Sequence, residues 1–149
     1  MRPKPFIPIR LTDDDRDTSH RRGDRPVAPR DTHDRYVRDE TTGLVWHRCG
    51  HRVLYADTDR SGVVYHANHL RYFELGRATL MRDAAYPYRE IEESGFVYPI
   101  IQVGLDYFRP LAYDDAMCIH TRPSDMERVK LRFDYVITHE DTGEIVCKG

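Results

Sequence analysis

The side chains best suited to chemistry are concentrated where an acidic turn leads into a helix-forming stretch. They are Asp57, Asp59, Ser61, Tyr65, His66 and His69. The amino terminus of a helix presents unpaired backbone N–H groups and the positive end of the helix dipole, so it can stabilise an oxyanion. A carboxylate beside that terminus can activate water, and Gly62 would let backbone pass close to a bound group. The pattern therefore suits attack on a carbonyl carbon.

The two acidic residues of this segment also have a purely structural interpretation. Aspartates commonly cap turns and helix amino termini, and Asp57 and Asp59 are placed to do so. Their spacing permits a catalytic carboxylate without requiring one. Spacing alone therefore leaves both interpretations open.

Metal-ligand patterns in the sequence are incomplete. Asp57, Asp59, Ser61 and Gly62 match the opening of a calcium loop, but Asn68 stands where that loop needs a bidentate Glu. A second set has no spacing of a closed zinc site; it comprises His47, Cys49, His51, His66 and His69. No metal site is predicted.

The sequence also lacks a G-x-S-x-G nucleophile motif and a phosphate-binding glycine loop. Its three cysteines, Cys49, Cys118 and Cys147, are odd in number and far apart, which does not suit a disulfide framework and fits a reducing cytoplasm. Cys118 and Cys147 lie in strand-like apolar runs, where we expect them to be buried as small hydrophobic residues.

The length and net charge of the chain limit the number of its domains and the kinds of partner that it can bind. A chain of 149 residues has room for one compact domain. Its net charge of -2 provides no positive field of the kind that nucleic-acid binders use. No run reaches the roughly 20 apolar residues of a membrane span, and the amino terminus lacks the apolar core of a secretion signal. We expect a cytoplasmic protein without a nucleic-acid partner or a membrane span.

One long helix is predicted in "HANHLRYFELGRATLMRDAAY", directly after the acidic turn. Its predicted apolar face consists of Leu70, Phe73, Leu80, Met81 and Ala84. A short helical turn is predicted in "YREIEES".

Strands are predicted on both sides of the helix. One predicted strand, "LVWHRCGHRVLY", precedes it. Four follow it: "IQVGLDYFRP", "AMCIHTR", "KLRFDYVI" and a last strand after the turn at residues 141–143. Alternation predicts two inward rows: Ile101, Val103, Leu105 and Tyr107, then Leu131, Phe133, Tyr135 and Ile137. We predict an α+β fold in which an antiparallel sheet of about five strands wraps around the helix.

The amino-terminal part of the chain differs in composition. Residues 1–42 mix Arg, Asp and Pro with few large apolar side chains, so we predict an extension that is disordered or packs as an arm on another subunit. The globular domain is predicted at residues 43–149. The chain ends inside its last predicted strand, so an incomplete strand is one interpretation.

A family resemblance covers residues 52–149. The run "YADTDRSGVVYHANHLRYFELGR" resembles the active-site segment of the 4-hydroxybenzoyl-CoA and YbgC-type acyl-CoA thioesterases. "VGLDYFRPLAYDDAMCIHTR" is similar to the strands that follow it in that family. The resemblance implies the hotdog fold and a homodimer or homotetramer whose subunits share active sites.

The same resemblance implies roles for individual residues. Asp59 would be the nucleophile or general base that attacks an acyl-CoA thioester, and a backbone N–H near His66 would polarise the thioester carbonyl. Tyr65 and the His66 ring would shape the pocket. Substrate-binding positions would be Gly62, Val63 and Asn68. No metal or redox cofactor is implied.

Three departures from the family pattern qualify these roles. Arg60 and Ser61 replace smaller residues, and Lys130 stands where relatives often have Ser. Lys130 or Arg128 is therefore a candidate contact for the CoA phosphates. Two alternative functions stay open: a thioesterase acting on an acyl-carrier protein, and a noncatalytic module that binds acyl-CoA.

Overall fold

The structure, a computed structural model, describes residues 35–39, 41–126 and 130–149. Most of the predicted extension, residues 1–42, lies outside these ranges. The strands are β1 (Tyr36–Arg38), β2 (Val45–Arg52), β3 (Asp106–Tyr107), β4 (Ala116–Met126), β5 (Leu131–His139) and β6 (Ile145–Lys148). The helices are α1 (Asn68–Asp83) and α2 (Tyr88–Glu93), and a 3-10 turn occupies Tyr55–Asp57.

The strands form one antiparallel sheet in the order β1-β2-β4-β5-β6-β3, and α1 packs across β4 and β2. This arrangement confirms the predicted α+β hotdog architecture with a single long helix. The sheet has six strands in place of about five, because β1, which lies within the predicted extension, pairs with β2. No helix in the described ranges is long and apolar enough to cross a membrane.

The core lies between α1 and the inward face of the sheet. In β4, Met117 and Ile119 are fully buried, and in β5 Tyr135 and Ile137 are buried at alternate positions as predicted. Cys118 and Cys147 are also buried, which confirms their interpretation as small hydrophobic residues. Among the strands, β4 and β2 make the main contacts with the helix.

The buried face of α1 differs in part from the predicted one. Phe73, Leu80 and Met81 are buried as expected, whereas Leu70 is 39% exposed. The helix turns its His69 and Tyr72 side towards the sheet. A pattern based on apolar residues alone assigned Leu70 to that face, because it did not count a histidine as a core residue.

Gly76 lies at the closest approach of α1 to β4. A methyl group at this position would lie 2.5 Å from Thr121 Oγ1 and 2.7 Å from Ile119 Cγ2. Both neighbours are β-branched side chains with little rotamer freedom, so neither can move away cheaply. The absence of a side chain at Gly76 is what lets the helix sit this close to the sheet.

We expect Gly76→Ala to lower the free energy of unfolding by about 1–2 kcal/mol, because the steric cost of overpacking exceeds the gain in helix propensity. Urea denaturation measures this change. Gly50→Ala is the matched control, since a methyl group there meets nothing within 4 Å. A Gly76→Ala protein as stable as the wild type would show that the helix can shift without cost.

The strand predicted in "IQVGLDYFRP", residues 101–110, is wrong for most of its length. Only Asp106 and Tyr107 form a strand, which pairs with β6, while Ile101 is 77% and Val103 54% exposed. Alternation in a sequence shows that a segment can join a sheet, but a strand also needs a neighbour that accepts its hydrogen bonds. The described part of this chain offers residues 101–105 no such neighbour.

Candidate active site

The acidic loop is a tight, hydrogen-bonded turn. Thr58 and Val64 form an antiparallel bridge at its base. Within it, Asp59 N–H donates to the Val63 carbonyl (2.9 Å) and Gly62 N–H donates to the Asp59 carbonyl (2.9 Å). These bonds hold Asp59 at the start of the turn in a defined backbone conformation.

The Asp59 side chain is exposed and only partly engaged. Its Oδ1 accepts the Ser61 backbone N–H at 2.7 Å, which fixes the direction of the carboxylate. Its Oδ2 has no donor among the described residues. One oxygen of an oriented carboxylate is therefore available to accept a proton or attack a carbon.

Gly62, a predicted substrate-binding position, lies in the turn of the acidic loop. Its φ of +79° lies in the left-handed region, which favours glycine. A methyl group at Gly62 would meet no atom within 4 Å in the described chain. The turn conformation therefore explains this glycine within the single chain, without a close approach of other atoms.

Asp57 is the structural member of the acidic pair. It is 2% exposed, and its carboxylate accepts hydrogen bonds from Tyr72 Oη (2.9 Å), Arg71 Nη1 (3.0 Å) and the Leu54 N–H (3.3 Å). Burial, together with the hydrogen bond to this carboxylate, raises the pKa of Tyr72, so its hydroxyl stays a donor. Asp57 thus acts as the structural cap that spacing had left possible for both aspartates.

The backbone of Asp57 joins the loop to the start of α1. Its carbonyl accepts the Tyr65 N–H (2.9 Å) and the Asn68 Nδ2 (2.9 Å). The Asn68 side chain, predicted to bind substrate, is therefore engaged by the protein's own backbone. Val63, another predicted binding residue, forms a bridge with Ala112 and is half-buried.

Two backbone amides at the helix entrance are unpaired. The N–H groups of His66 and Ala67 have no acceptor among the described residues, whereas the N–H of Asn68 donates to the Tyr65 carbonyl at 2.8 Å. They lie at the amino terminus of α1, where the helix dipole adds partial positive charge. They are the N–H groups nearest to the predicted oxyanion site, and their role as oxyanion donors stays a prediction.

Tyr65 and His66 are both exposed beside these amides. Their rings lie 4.3 Å apart between centroids and tilt against each other. The pair forms an aromatic surface at the helix entrance, and its predicted role in shaping a pocket stays a prediction.

One cavity of the described chain does not include the predicted site. Its volume is about 390 Å³, and it is lined by His51, Leu54, Asp57, Arg71, Tyr72, Glu74, Leu75 and Ala78. A second cavity of about 200 Å³ lies near His47 and Thr121. In the single described chain, Asp59 therefore faces solvent.

Two further predictions concern ligands. Within the described residues, no group of three or more His, Cys, Asp or Glu side chains is arranged to hold a metal ion. Of the candidate phosphate contacts, Lys130 is exposed, and Arg128 lies outside the described residues. Their contact with CoA stays a prediction.

Sequence spacing missed the contacts that hold the His66 carbonyl. Tyr107 Oη donates to it at 2.9 Å across 41 positions of sequence, and His69 Nδ1 donates to it at 3.1 Å. The sequence places His69 in the acidic cluster and Tyr107 in the inward row of a predicted strand, without linking either residue to the His66 carbonyl. No local signal links Tyr107 to His66, which lies 41 positions away.

The fold places the chain in the hotdog class, with its acidic loop at the entrance of the central helix. The sequence profile of the thioesterase-like superfamily matches residues 53–149, a segment that contains both features. The chain belongs to the thioesterase-like superfamily, and it is an enzyme of the thioesterase class.

Individual relatives agree with this assignment. The chain is 35% identical over 97 residues to the putative acyl-CoA thioesterase YneP of Bacillus subtilis, covering 65% of this chain and 70% of the relative. It is 28% identical over 90 residues to the acyl-CoA thioester hydrolase YbgC of Escherichia coli, covering 60% and 67%. The crystal structure of a hypothetical protein from Aquifex aeolicus superposes with a TM-score of 0.65 at 30% identity, covering 68% of this chain and 80% of that one.

Proposed function

We propose that this protein hydrolyses acyl-CoA thioesters to a free acid and CoA. The observation that carries the proposal is the family match over residues 53–149, which contains the Asp59 loop and the start of α1. The names of the relatives YneP and YbgC support acyl-CoA as the substrate class. No bound metal or redox cofactor enters the proposed reaction.

In the proposed reaction, the free Asp59 Oδ2 acts in one of two ways. As a general base it takes a proton from water while the water oxygen attacks the thioester carbon. As a nucleophile it attacks that carbon itself, forming an acyl-aspartate anhydride that water then cleaves. In both routes the C–S bond breaks, and the CoA thiolate leaves and takes up a proton.

The unpaired amides of His66 and Ala67 are the proposed oxyanion donors. Negative charge develops on the carbonyl oxygen as the carbon becomes tetrahedral, and N–H groups at a helix amino terminus stabilise that charge. A thioester suits this small apparatus because thiolate is a good leaving group. Tyr65 and His66 would then bound the pocket around the reacting carbonyl.

A thiol-release assay tests this function. Wild-type protein is mixed with short, long and aromatic acyl-CoA substrates and a thiol-reactive dye, and the same acyl groups are presented on a carrier protein. Release from CoA at least tenfold faster than from the carrier supports the proposal. Tight binding of acyl-CoA without thiol release would instead support the noncatalytic alternative.

The proposed active unit contains a second copy of the chain. The segment around residues 96–108 exposes many apolar side chains; the most exposed are Val97, Ile100, Ile101, Val103, Tyr107 and Phe108. It adjoins β3, the strand at one edge of the sheet. Because Asp59 faces solvent in one chain, we propose that a partner covers this segment and completes the pocket, in a homodimer or a tetramer of such dimers.

We expect Ile101→Asp to convert the oligomer to a monomer, because a buried unpaired carboxylate in an apolar interface costs several kcal/mol. Light scattering coupled to size-exclusion chromatography measures the molecular mass of the oligomer. The rate of thiol release should fall together with that mass. Val37→Asp is the matched control, because Val37 is 41% exposed on β1 at the opposite edge of the sheet. A wild-type protein that is monomeric and active at micromolar concentration would contradict the proposal.

The proposed location is the cytoplasm. The described cysteines, Cys49, Cys118 and Cys147, are all unpaired, as is usual in a reducing compartment. Burial raises the pKa of Cys147 to about 12, so its thiol is not a nucleophile at neutral pH. None of the three has a part in the proposed reaction.

A further inference from the structure

The carbonyl oxygen of His66 lies at the helix entrance and is bound by three donors. It accepts Tyr107 Oη at 2.9 Å, His69 Nδ1 at 3.1 Å and the His69 backbone N–H at 3.4 Å. The hydroxyl comes from β3 and the other two donors from α1. We call these contacts the His66 clamp.

The clamped carbonyl shares one peptide unit with the Ala67 N–H. A peptide group is planar, so holding the His66 oxygen also fixes the direction in which the Ala67 N–H points. Hydrogen bonds accepted by a carbonyl polarise its peptide and strengthen the N–H as a donor. The Ala67 N–H itself has no acceptor among the described residues.

The two side chains of the clamp also support each other. The His69 ring meets the Tyr107 ring edge-on, with centroids 5.1 Å apart and an interplanar angle of 84°. His69 is 4% exposed, and burial lowers its pKa, so the ring is neutral at pH 7. Since a carbonyl can only accept, the proton of this neutral ring lies on Nδ1.

We infer that Tyr107 and His69 are positioning residues, which orient and polarise the His66–Ala67 peptide so that the Ala67 N–H stabilises the reacting carbonyl oxygen. The inference rests on the proposed thioester hydrolysis. The two side chains act through the peptide and need not touch the substrate. Their loss should therefore lower kcat and leave KM nearly unchanged.

Tyr107→Phe tests this inference, because it removes the hydroxyl and keeps the ring against His69. Removing a direct oxyanion donor costs about 10²–10³ in kcat, so loss of a group acting through the peptide should cost about tenfold. Tyr135→Phe is the matched control, since it removes a hydroxyl that is bonded to Arg77 at 3.3 Å and to nothing in the clamp. We expect it to leave kcat within about twofold of wild type.

Two further measurements separate positioning from a general structural effect. In ¹⁵N-labelled protein, Tyr107→Phe should move the Ala67 amide resonance upfield, and Tyr135→Phe should leave it in place. His69→Asn should retain more kcat than His69→Ala, because the Asn amide nitrogen can replace Nδ1 as the donor. The resonance shift reports on the peptide directly, and the order of the two His69 variants reports on the donor at Nδ1.

The outcomes distinguish the clamp from the reaction it serves. Unchanged kcat and an unchanged Ala67 resonance in Tyr107→Phe, beside an active wild type, would overturn the clamp and leave thioester hydrolysis intact. A rise in KM with constant kcat would also overturn it. That result would indicate that the hydroxyl contributes equally to binding the substrate and the transition state. A wild-type chain without thiol release would overturn the proposed hydrolysis and the clamp's function with it.

Discussion

Asp59→Asn is expected to lower kcat for acyl-CoA hydrolysis by about 10³-fold, because the amide can neither accept a proton from water nor attack the thioester carbon. Its oxygen can still accept the Ser61 N–H that orients the Asp59 carboxylate at 2.7 Å. The loop should therefore keep its conformation and the protein its melting temperature. Thiol release and thermal unfolding, measured on the same preparation, test both parts of this expectation.

The control for this substitution is Asp141→Asn, which makes the same chemical change at an exposed turn between β5 and β6. It should leave kcat unchanged. An Asp59→Asn protein that retains more than about a tenth of wild-type kcat would contradict a catalytic carboxylate at this position.

Labelled water provides a test for the nucleophilic route with the wild-type protein. A single turnover in ¹⁸O-labelled water puts the label into the acid product alone if Asp59 is a general base, or if water attacks the acyl carbonyl of the anhydride. If Asp59 is the nucleophile and water attacks the Asp59 carbonyl of the anhydride, the label enters the Asp59 carboxylate. Mass spectrometry of the peptide containing Asp59 detects the difference.

Asp57→Ala is expected to affect folding, with a loss of about 3 kcal/mol in the free energy of unfolding. The substitution leaves the Tyr72 hydroxyl, which bonds to this carboxylate at 2.9 Å, without its acceptor in the core. Arg71 is 66% exposed and can return to water, so its share of the cost is small. Chemical denaturation measures the loss. The free energy of unfolding of Asp57→Asn should lie between those of Asp57→Ala and the wild type.

Asp59→Ala provides the comparison for this experiment, because it truncates the exposed aspartate two positions away. It should change the free energy of unfolding by less than about 1 kcal/mol. Equal stability losses for Asp57→Ala and Asp59→Ala would contradict the assignment of Asp57 as the structural member of the acidic pair.

Local regularities in the sequence were sufficient to predict much of the fold. Helix α1 and strands β2, β4, β5 and β6 occur where periodicity and turn residues indicated. Each signal depends on neighbours within a few positions, so it can be seen without tertiary structure. The resemblance of the Asp59 segment to a family likewise depends on contiguous residues, and the family comparison confirmed it.

Strands at the sheet edges were predicted less well. β1 pairs with β2 from within a charged segment that we had assigned to the extension, and β3 is two residues long where a full strand was expected. Edge strands have one pairing partner at most, so their length depends on which chain segment, or which subunit, lies beside them. That information is absent from the alternation of side chains.

By itself, the sequence determined the long helix α1, the main strands, the acidic loop and its family, because periodic burial and contiguous motifs are local properties. The tertiary structure decided which aspartate is buried and which is exposed, why Gly76 has no side chain, and that Tyr107 reaches the His66 carbonyl. These depend on distances between segments far apart in the chain. Burial and hydrogen bonding, which set the role of each polar group, arise only when those segments pack together.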